Sequence, residues 1–204
     1  MSRVFLLSPA RCDGKRAQML LNPSASFDLA HRVRALEGAP IGEVFAFLSG
    51  LYFRGKLTYA NTFGKPEDRL IITTDRGLVS PDTRVTRDDL LAFSKVDLAT
   101  AGDRYIAPLR RHAEALTARL DGAASVVLLG SISTGKYCDT LTAVFGARLL
   151  FPSTFVGRGD MSRGGLLLRH AREGRELEYE PVIGAVRRGK RPPKLERLRR
   201  DAGR

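Results

Sequence analysis

Residues 4–7, 70–74, 125–129 and 148–151 are short apolar or β-branched runs, and helical periodicity fills the stretches between them. Consecutive apolar residues bury both faces of a strand, the environment of a parallel sheet covered by helices on its two sides. The alternation therefore predicts an α/β fold, a mostly parallel sheet with helices on both faces. After Pro40, the residues Val44, Phe47, Leu48, Leu51 and Tyr52 fall at helical spacing. Phe53-Arg54-Gly55-Lys56 reads as an interruption, with a second helical piece through Leu57, Tyr59, Ala60 and Phe63 closed by Gly64. Ile106, Leu109, Ala113, Leu116 and Leu120 mark another amphipathic helix, and residues 137–145 one more. Ser26 reads as the cap of a helix over residues 27–36, and Thr86 as the cap of a helix through Phe93.

Near the end the pattern changes. Residues 165–169 and 176–183 flank Arg172-Glu173-Gly174-Arg175, which reads as a C-terminal β-hairpin on the sheet edge. Residues 1–186 make a single domain, and 187–204 a basic tail with little to bury, expected to be extended or disordered when free.

Composition narrows the partners. A chain that is 43% hydrophobic and 27% charged can build a core. No apolar run approaches the roughly 18 residues of a membrane span, so no membrane partner is expected. Residues 4–7 are too short for a signal-peptide core, which suggests a cytoplasmic protein. Cys12, Cys138, His31, His112 and His170 show no zinc spacing, so neither a metal nor a cofactor is expected. The formal net charge is +12, and residues 181–204 hold nine Lys/Arg against two acids. A charge clustered in this way favours a polyanionic partner, DNA or RNA.

The sharpest local pattern is Val126-Val127-Leu128-Leu129-Gly130-Ser131-Ile132-Ser133-Thr134-Gly135-Lys136-Tyr137, a buried strand running through a glycine loop into a helix. Backbone N–H groups of such a loop can cradle a phosphate, with Lys136 supplying a full charge. Tyr137 stands where an NTP-hydrolysing P-loop needs Ser or Thr for magnesium, so the pattern points to anion binding rather than hydrolysis. In a parallel sheet, ligands bind outside the carboxyl ends of the strands. The loops at 8–15, 74–82 and 130–137 share that edge, and they offer Ser8, Cys12, Asp13, Lys15, Asp75, Arg76, Gly130, Ser131, Ser133, Gly135 and Lys136. Asp13 or Asp75 is a candidate general base if partly desolvated. A helix or turn cap is the competing role for each carboxylate.

These same loops carry a family resemblance. Leu6-Leu7-Ser8-Pro9-Ala10-Arg11 resembles the opening strand of the YaaA peroxide-stress proteins and their uncharacterised relatives. Leu51-Tyr52-Phe53-Arg54-Gly55-Lys56 with Tyr59-Ala60, then residues 70–74 and Gly77-Leu78-Val79 with Pro81-Asp82, is similar to the family's next block. The family is similar in fold to uracil-DNA glycosylases and to an accessory domain of archaeal tRNA-guanine transglycosylases. The resemblance covers about the first 140 residues and implies a nucleic-acid setting. Asp75-Arg76 stands where relatives often carry Lys-Tyr, and the glycosylase catalytic signatures are absent. The resemblance therefore implies where a site lies, not which reaction occurs there.

Residues 155–165 have four glycines in eleven positions, with Arg158, Asp160 and Arg163 among them. They read as a loop that approaches a ligand, its arginines suited to phosphate or base contacts and Asp160 able to orient one of them. Arg169, Arg187, Arg188, Lys190, Arg191 and Lys194 make a basic strip for nucleic-acid contacts. Tyr52, Tyr59 and Tyr137 are candidate base-stacking residues, and Tyr52 and Tyr59 fit equally well as core residues on a helical stripe. Three functions follow from this reading. The favoured one is a nucleic-acid-binding protein of glycosylase-like fold, acting on a base or nucleotide in DNA or RNA. The alternatives are a small enzyme holding a free nucleotide or phosphorylated metabolite in the loop at 130–136, and a non-catalytic basic scaffold.

Overall fold

The computed structural model describes residues 3–96, 102–133, 135 and 137–195. Strand β1 (Arg3–Leu7) leads through helices α1 (Lys15–Leu21) and α2 (Asp28–Arg34) to a short strand, β2 (Ala39–Pro40). Helices α3 (Ile41–Ser49) and α4 (Leu51–Phe63) precede β3 (Arg69–Ile72), β4 (Leu78–Val79), β5 (Arg84–Val85) and α5 (Arg87–Ser94). Then come α6 (Gly102–Arg119), β6 (Ser125–Leu129), α7 (Cys138–Phe145), β7 (Leu149–Pro152), α8 (Asp160–Glu173) and β8 (Tyr179–Pro181). Six strands form one sheet in the order β4-β3-β1-β6-β7-β8, while β2 and β5 pair separately. β1, β3, β6 and β7 run parallel, and β4 and β8 are antiparallel edges.

Side chains of the central strands alternate between two cores, as the pleat requires. Phe5, Leu7, Ile71, Val127 and Leu129 pack with residues of α1 to α5 and α8. Val4, Leu6, Ile72, Val126 and Leu128 pack with residues of α6 and α7. Both faces of the sheet are thus covered, and the expected α/β architecture is the one observed. Among the described residues no helix is long and apolar enough to cross a membrane. Thr86 caps α5 as expected, in a reciprocal capping box with Asp89.

The differences have local causes. The sheet does end in an antiparallel C-terminal pair, β7 with β8, but the first arm is Leu149–Pro152. Residues 165–169 lie inside α8, where Gly164, Leu166 and Leu167 are buried on a helical stripe. Two adjacent glycines suggest a turn there, and tertiary packing overrides them. Ser26 caps nothing, because α2 starts at Asp28 after Phe27. The expected interruption at 53–56 is also absent. The chain breaks at Gly50, whose φ is 61°, and α4 then runs unbroken through Gly55.

Gly55 is tolerated because it is where α8 crosses. A Cβ on Gly55 would stand 2.7 Å from the Gly164 carbonyl oxygen, and one on Gly164 would stand 2.7 Å from the Leu51 oxygen. The two backbones touch, and any side chain at either position would push the helices apart. Gly165 faces ordinary contact, with Leu195 Cδ1 at 3.5 Å. Alanine adds about 1 kcal/mol of helix propensity over glycine, while overpacking costs about 1–3 kcal/mol. Urea unfolding should therefore show Gly55→Ala and Gly164→Ala less stable than wild type. Gly165→Ala, one residue along the same helix, should be unchanged or more stable.

Candidate functional site at the carboxyl edge of the sheet

The strand order places a topological switch point between β1 and β6. The chain goes from β1 to β3 on one side, and from β6 to β7 on the other. The carboxyl ends of β1 and β6 therefore mark the place at which α/β sheets commonly bind ligands. Ser8 follows β1 directly, and its N–H donates to the Leu129 carbonyl at 3.3 Å, so the ladder reaches the last residue of β6. Gly130 comes next. A Cβ there would meet Ser8 Cβ at 2.9 Å and the Tyr137 hydroxyl at 2.8 Å. Glycine is required at 130 by close approach rather than by a special φ.

Into this edge α4 delivers a residue that the sequence reading did not select. Lys56 is 1% exposed. Its Nζ donates to the Ser8 carbonyl at 2.6 Å and to Ser8 Oγ at 2.9 Å. The ammonium also lies 4.4 Å from the Tyr52 ring centre and 4.7 Å from that of Phe53. No carboxylate among the described residues pairs with it. Burial pushes its pKa down to about 7, opposed by Asp160 and reinforced by Arg163. A signal for it exists in the sequence. Tyr52, Lys56 and Tyr59 repeat at i, i+4 and i+7, so a lysine sits in the middle of an apolar stripe.

α8 supplies the second buried cation. Arg163 Nε and Nη2 donate to the Phe155 carbonyl at 3.2 and 3.1 Å, and its guanidinium stacks on the Phe155 ring. Asp160 lies 3.6 Å from Arg163 one helical turn earlier, with its carboxylate mostly exposed. The buried Tyr52 hydroxyl makes no hydrogen bond of full geometry among the described residues, and its polar neighbour there, the Arg163 guanidinium, can reach it only as a donor. Burial raises its pKa, and the charge of Arg163 acts against that rise. Tyr137 donates to the Ser131 carbonyl at 3.0 Å, and burial likewise raises its phenol.

Of the residues anticipated from sequence, Ser8, Gly130, Ser131 and Arg163 belong to this edge. Lys136 lies outside the described residues. Ser131 and Ser133 hydroxyls bond to each other at 2.8 Å. Gly135 lies against the Asp139 carboxylate at the start of α7, and that carboxylate pairs with Arg187 at 2.9 Å.

Other candidates are engaged elsewhere. Asp13 is exposed and tied to Arg11 at 2.8 and 3.0 Å, which holds its carboxyl below the usual range. The desolvation a general base would need is missing. Asp75 stands 3.6 Å from Arg76, whose guanidinium also pairs with Asp89 of α5 and stacks on Phe93. That turn leans onto α5 through this pair, and Arg76 is a structural cation there. Lys15 is exposed at the start of α1. The expected glycine-rich loop is shorter than 155–165, since α8 begins at Asp160 and leaves only residues 156–159 irregular. Arg163 is inside α8, and Arg158 spans from the Thr154 carbonyl to Ser162 Oγ and the Pro193 carbonyl. Tyr59 is fully buried, its hydroxyl bonded to that of Tyr179 and accepting from the Leu177 N–H, so its ring belongs to the core. Tyr52 and Tyr137 are buried as well. Cys12 and Cys138 are buried thiols pushed up to about 12, mainly by desolvation. Arg169 is partly exposed on α8. Among the described residues no group of three or more His, Cys, Asp or Glu could hold a metal ion.

The depressed pKa of Lys56 has a measurable sign. Between about 7 and the ordinary value of 10.5 the unfolded chain binds the proton that the native chain has lost. Stability should then rise with pH across that interval, by up to about 1.4 kcal/mol per pH unit. Chemical denaturation in phosphate-free buffer between about pH 7 and 8.5, below the range where the thiols act in the opposite sense, should show this rise. It should be absent in Lys56→Met. Parallel slopes in the two proteins would mean that Lys56 keeps its proton.

Compared with models of protein families, with curated proteins and with solved structures, the chain matches none.

Proposed function

We propose that this protein binds nucleic acid, DNA or RNA, in a cytoplasmic setting. The phosphate backbone lies along residues 187–194, and the carboxyl edge of the sheet receives a base or nucleotide. The observation that carries this reading is a docked row of charge. Arg187, Arg188, Lys190, Arg191 and Lys194 fall within eight residues without an acid, and all are exposed.

The segment is fastened along the carboxyl edge. Arg187 pairs with Asp139 at the start of α7, and Gly157, just beyond β7, lies against the Lys190 carbonyl. Arg158 donates to the Pro193 carbonyl at 3.3 Å, and Leu195 packs on the core beside Gly165. Composition predicts a tail that buries little, yet its described part is anchored by a leucine and by backbone contacts. Clustered Lys and Arg on one strip supply the non-specific part of nucleic-acid affinity by releasing counterions. The resemblance of the first strand and the α4–β4 region to the YaaA proteins and to the uracil-DNA glycosylase fold supports the same setting. The glycosylase signatures are absent, so base excision is not part of the proposal.

The test is fluorescence anisotropy of labelled single- and double-stranded DNA and RNA across a salt series. The full chain should bind with a steep dependence of log K on log salt. Replacing Arg188, Lys190, Arg191 and Lys194 together by Gln keeps the docked backbone and Leu195. It should flatten that slope by about three to four, near 0.7–0.9 for each phosphate that is no longer neutralised. An unchanged slope would remove the strip from the interface, and no binding beyond that of a generic basic protein would end the reading.

A further inference from the structure

The buried groups at the end of β1 do not balance. In its protonated form Lys56 has three protons to donate and two acceptors, both on Ser8. Tyr52 has a buried hydroxyl whose polar neighbour, the Arg163 guanidinium, can only donate to it, so its own proton meets no acceptor among the described residues. Arg163 adds a second buried cation whose nearest carboxylate, Asp160, is 3.6 Å away and mostly in solvent. A cation taken out of water is costly unless an anion or several acceptors meet it. Here donors and positive charge converge from α4 and α8 at the switch point of the sheet, in excess of the acceptors present. The complement of that set is a small dianion rich in acceptor oxygens.

We propose that Lys56, Tyr52 and Arg163, beside Ser8, form a binding site for a terminal phosphate monoester. A phosphate monoester carries about two negative charges at neutral pH and three strong acceptor oxygens, which answers two cations and a phenol. A carboxylate carries one charge. The phosphate is terminal because every one of these residues is buried. An internal phosphodiester has chain on both sides and cannot enter, whereas a monoester presents a free end. The site rests on the reading of the carboxyl edge as the place of a base or nucleotide, but it uses none of the cations at 187–194, so it is tested apart from the strip. The monoester has two possible sources, a free nucleotide or the phosphorylated end of an oligonucleotide.

Lys56 faces Ser8 just after β1, Tyr52 and Phe53 of its own helix, and Arg163 and Asp160 of α8. Bringing a dianion to it favours its protonated form. At about pH 8 the ligand is already a dianion, so proton uptake on binding reports the lysine.

Isothermal titration of the full chain in phosphate-free buffers tests this, with inorganic phosphate, a nucleoside 5′-monophosphate, and 5′-phosphorylated and 5′-hydroxyl oligonucleotides as probes. Inorganic phosphate should bind the wild type. It should bind Lys56→Met at least about tenfold more weakly, the size of one charge-assisted hydrogen bond. Tyr52→Phe deletes one oxygen that makes no hydrogen bond of full geometry and leaves the ring in place, so it keeps the test valid if Lys56→Met folds poorly. It should weaken binding severalfold. Repeating the titration at about pH 8 in two buffers of different ionisation enthalpy should show proton uptake in the wild type. The fourfold Gln variant of the strip should bind inorganic phosphate as the wild type does. A preference for 5′-phosphorylated over 5′-hydroxyl oligonucleotide assigns the source to nucleic-acid ends, and a gain confined to the mononucleotide assigns it to free nucleotides. The proposal is overturned if inorganic phosphate fails to bind at about 10 mM, or if it binds Lys56→Met and Tyr52→Phe as tightly as wild type.

Discussion

The close crossing of α4 and α8 is the contact on which the rest of the site depends. Gly55 and Gly164 let the two backbones meet without side chains between them. The crossing sets what each helix presents one residue away, Lys56 after Gly55 and Arg163 before Gly164. A spacing of ordinary helix pairs, 8–10 Å between axes, would withdraw both cations from the end of β1. The sheet supplies the position, since Ser8 continues the β1–β6 ladder, and the helix pair supplies the chemistry.

That arrangement explains how a lysine is kept in the interior while its proton is held only weakly. Lys56 lies against two aromatic rings and takes both its acceptors from one residue of the sheet, a carbonyl at a strand end and the adjacent hydroxyl. Nothing negative from the described residues neutralises it. Proteins keep such groups at a cost in stability, and strongly perturbed ionisable groups concentrate where ligands bind. The surface charge obeys a different rule. Residues 187–194 are cationic in water, where each charge is screened and its effect on the fold is small. One protein thus carries positive charge in two regimes, a few buried groups with directional hydrogen bonds and an exposed row with long reach.

The layers and the parallel core were legible because their signals are local. Runs such as Val126 to Leu129 can be buried on both sides only in a covered sheet, and the order of strands and helices then leaves few topologies. The carboxyl edge was legible for the same reason, and Ser8 and Gly130 are identified through it. What escaped was decided by contacts between distant segments. Gly164-Gly165 reads as a turn until α4 is placed beside it, and Gly55 reads as a helix break until α8 is. Lys56 was hidden by the habit of assigning lysine to solvent, although its place on the Tyr52–Tyr59 stripe argued otherwise. Asp13 and Asp75 looked like acids in a cleft. Their partners, Arg11 and Arg76, are sequence neighbours whose pairing depends on turn geometry that composition does not reveal.

Leu195 gives the tail a property that a free polyelectrolyte lacks. Together with the Arg158–Pro193 contact it clamps the far end of the cationic segment, while Arg187 holds the near end. A disordered arm must surrender its conformational entropy when it settles on a partner, and that loss subtracts from affinity. A segment pinned at both ends has given up most of that freedom on folding, so its charges stand at a fixed spacing before anything approaches them.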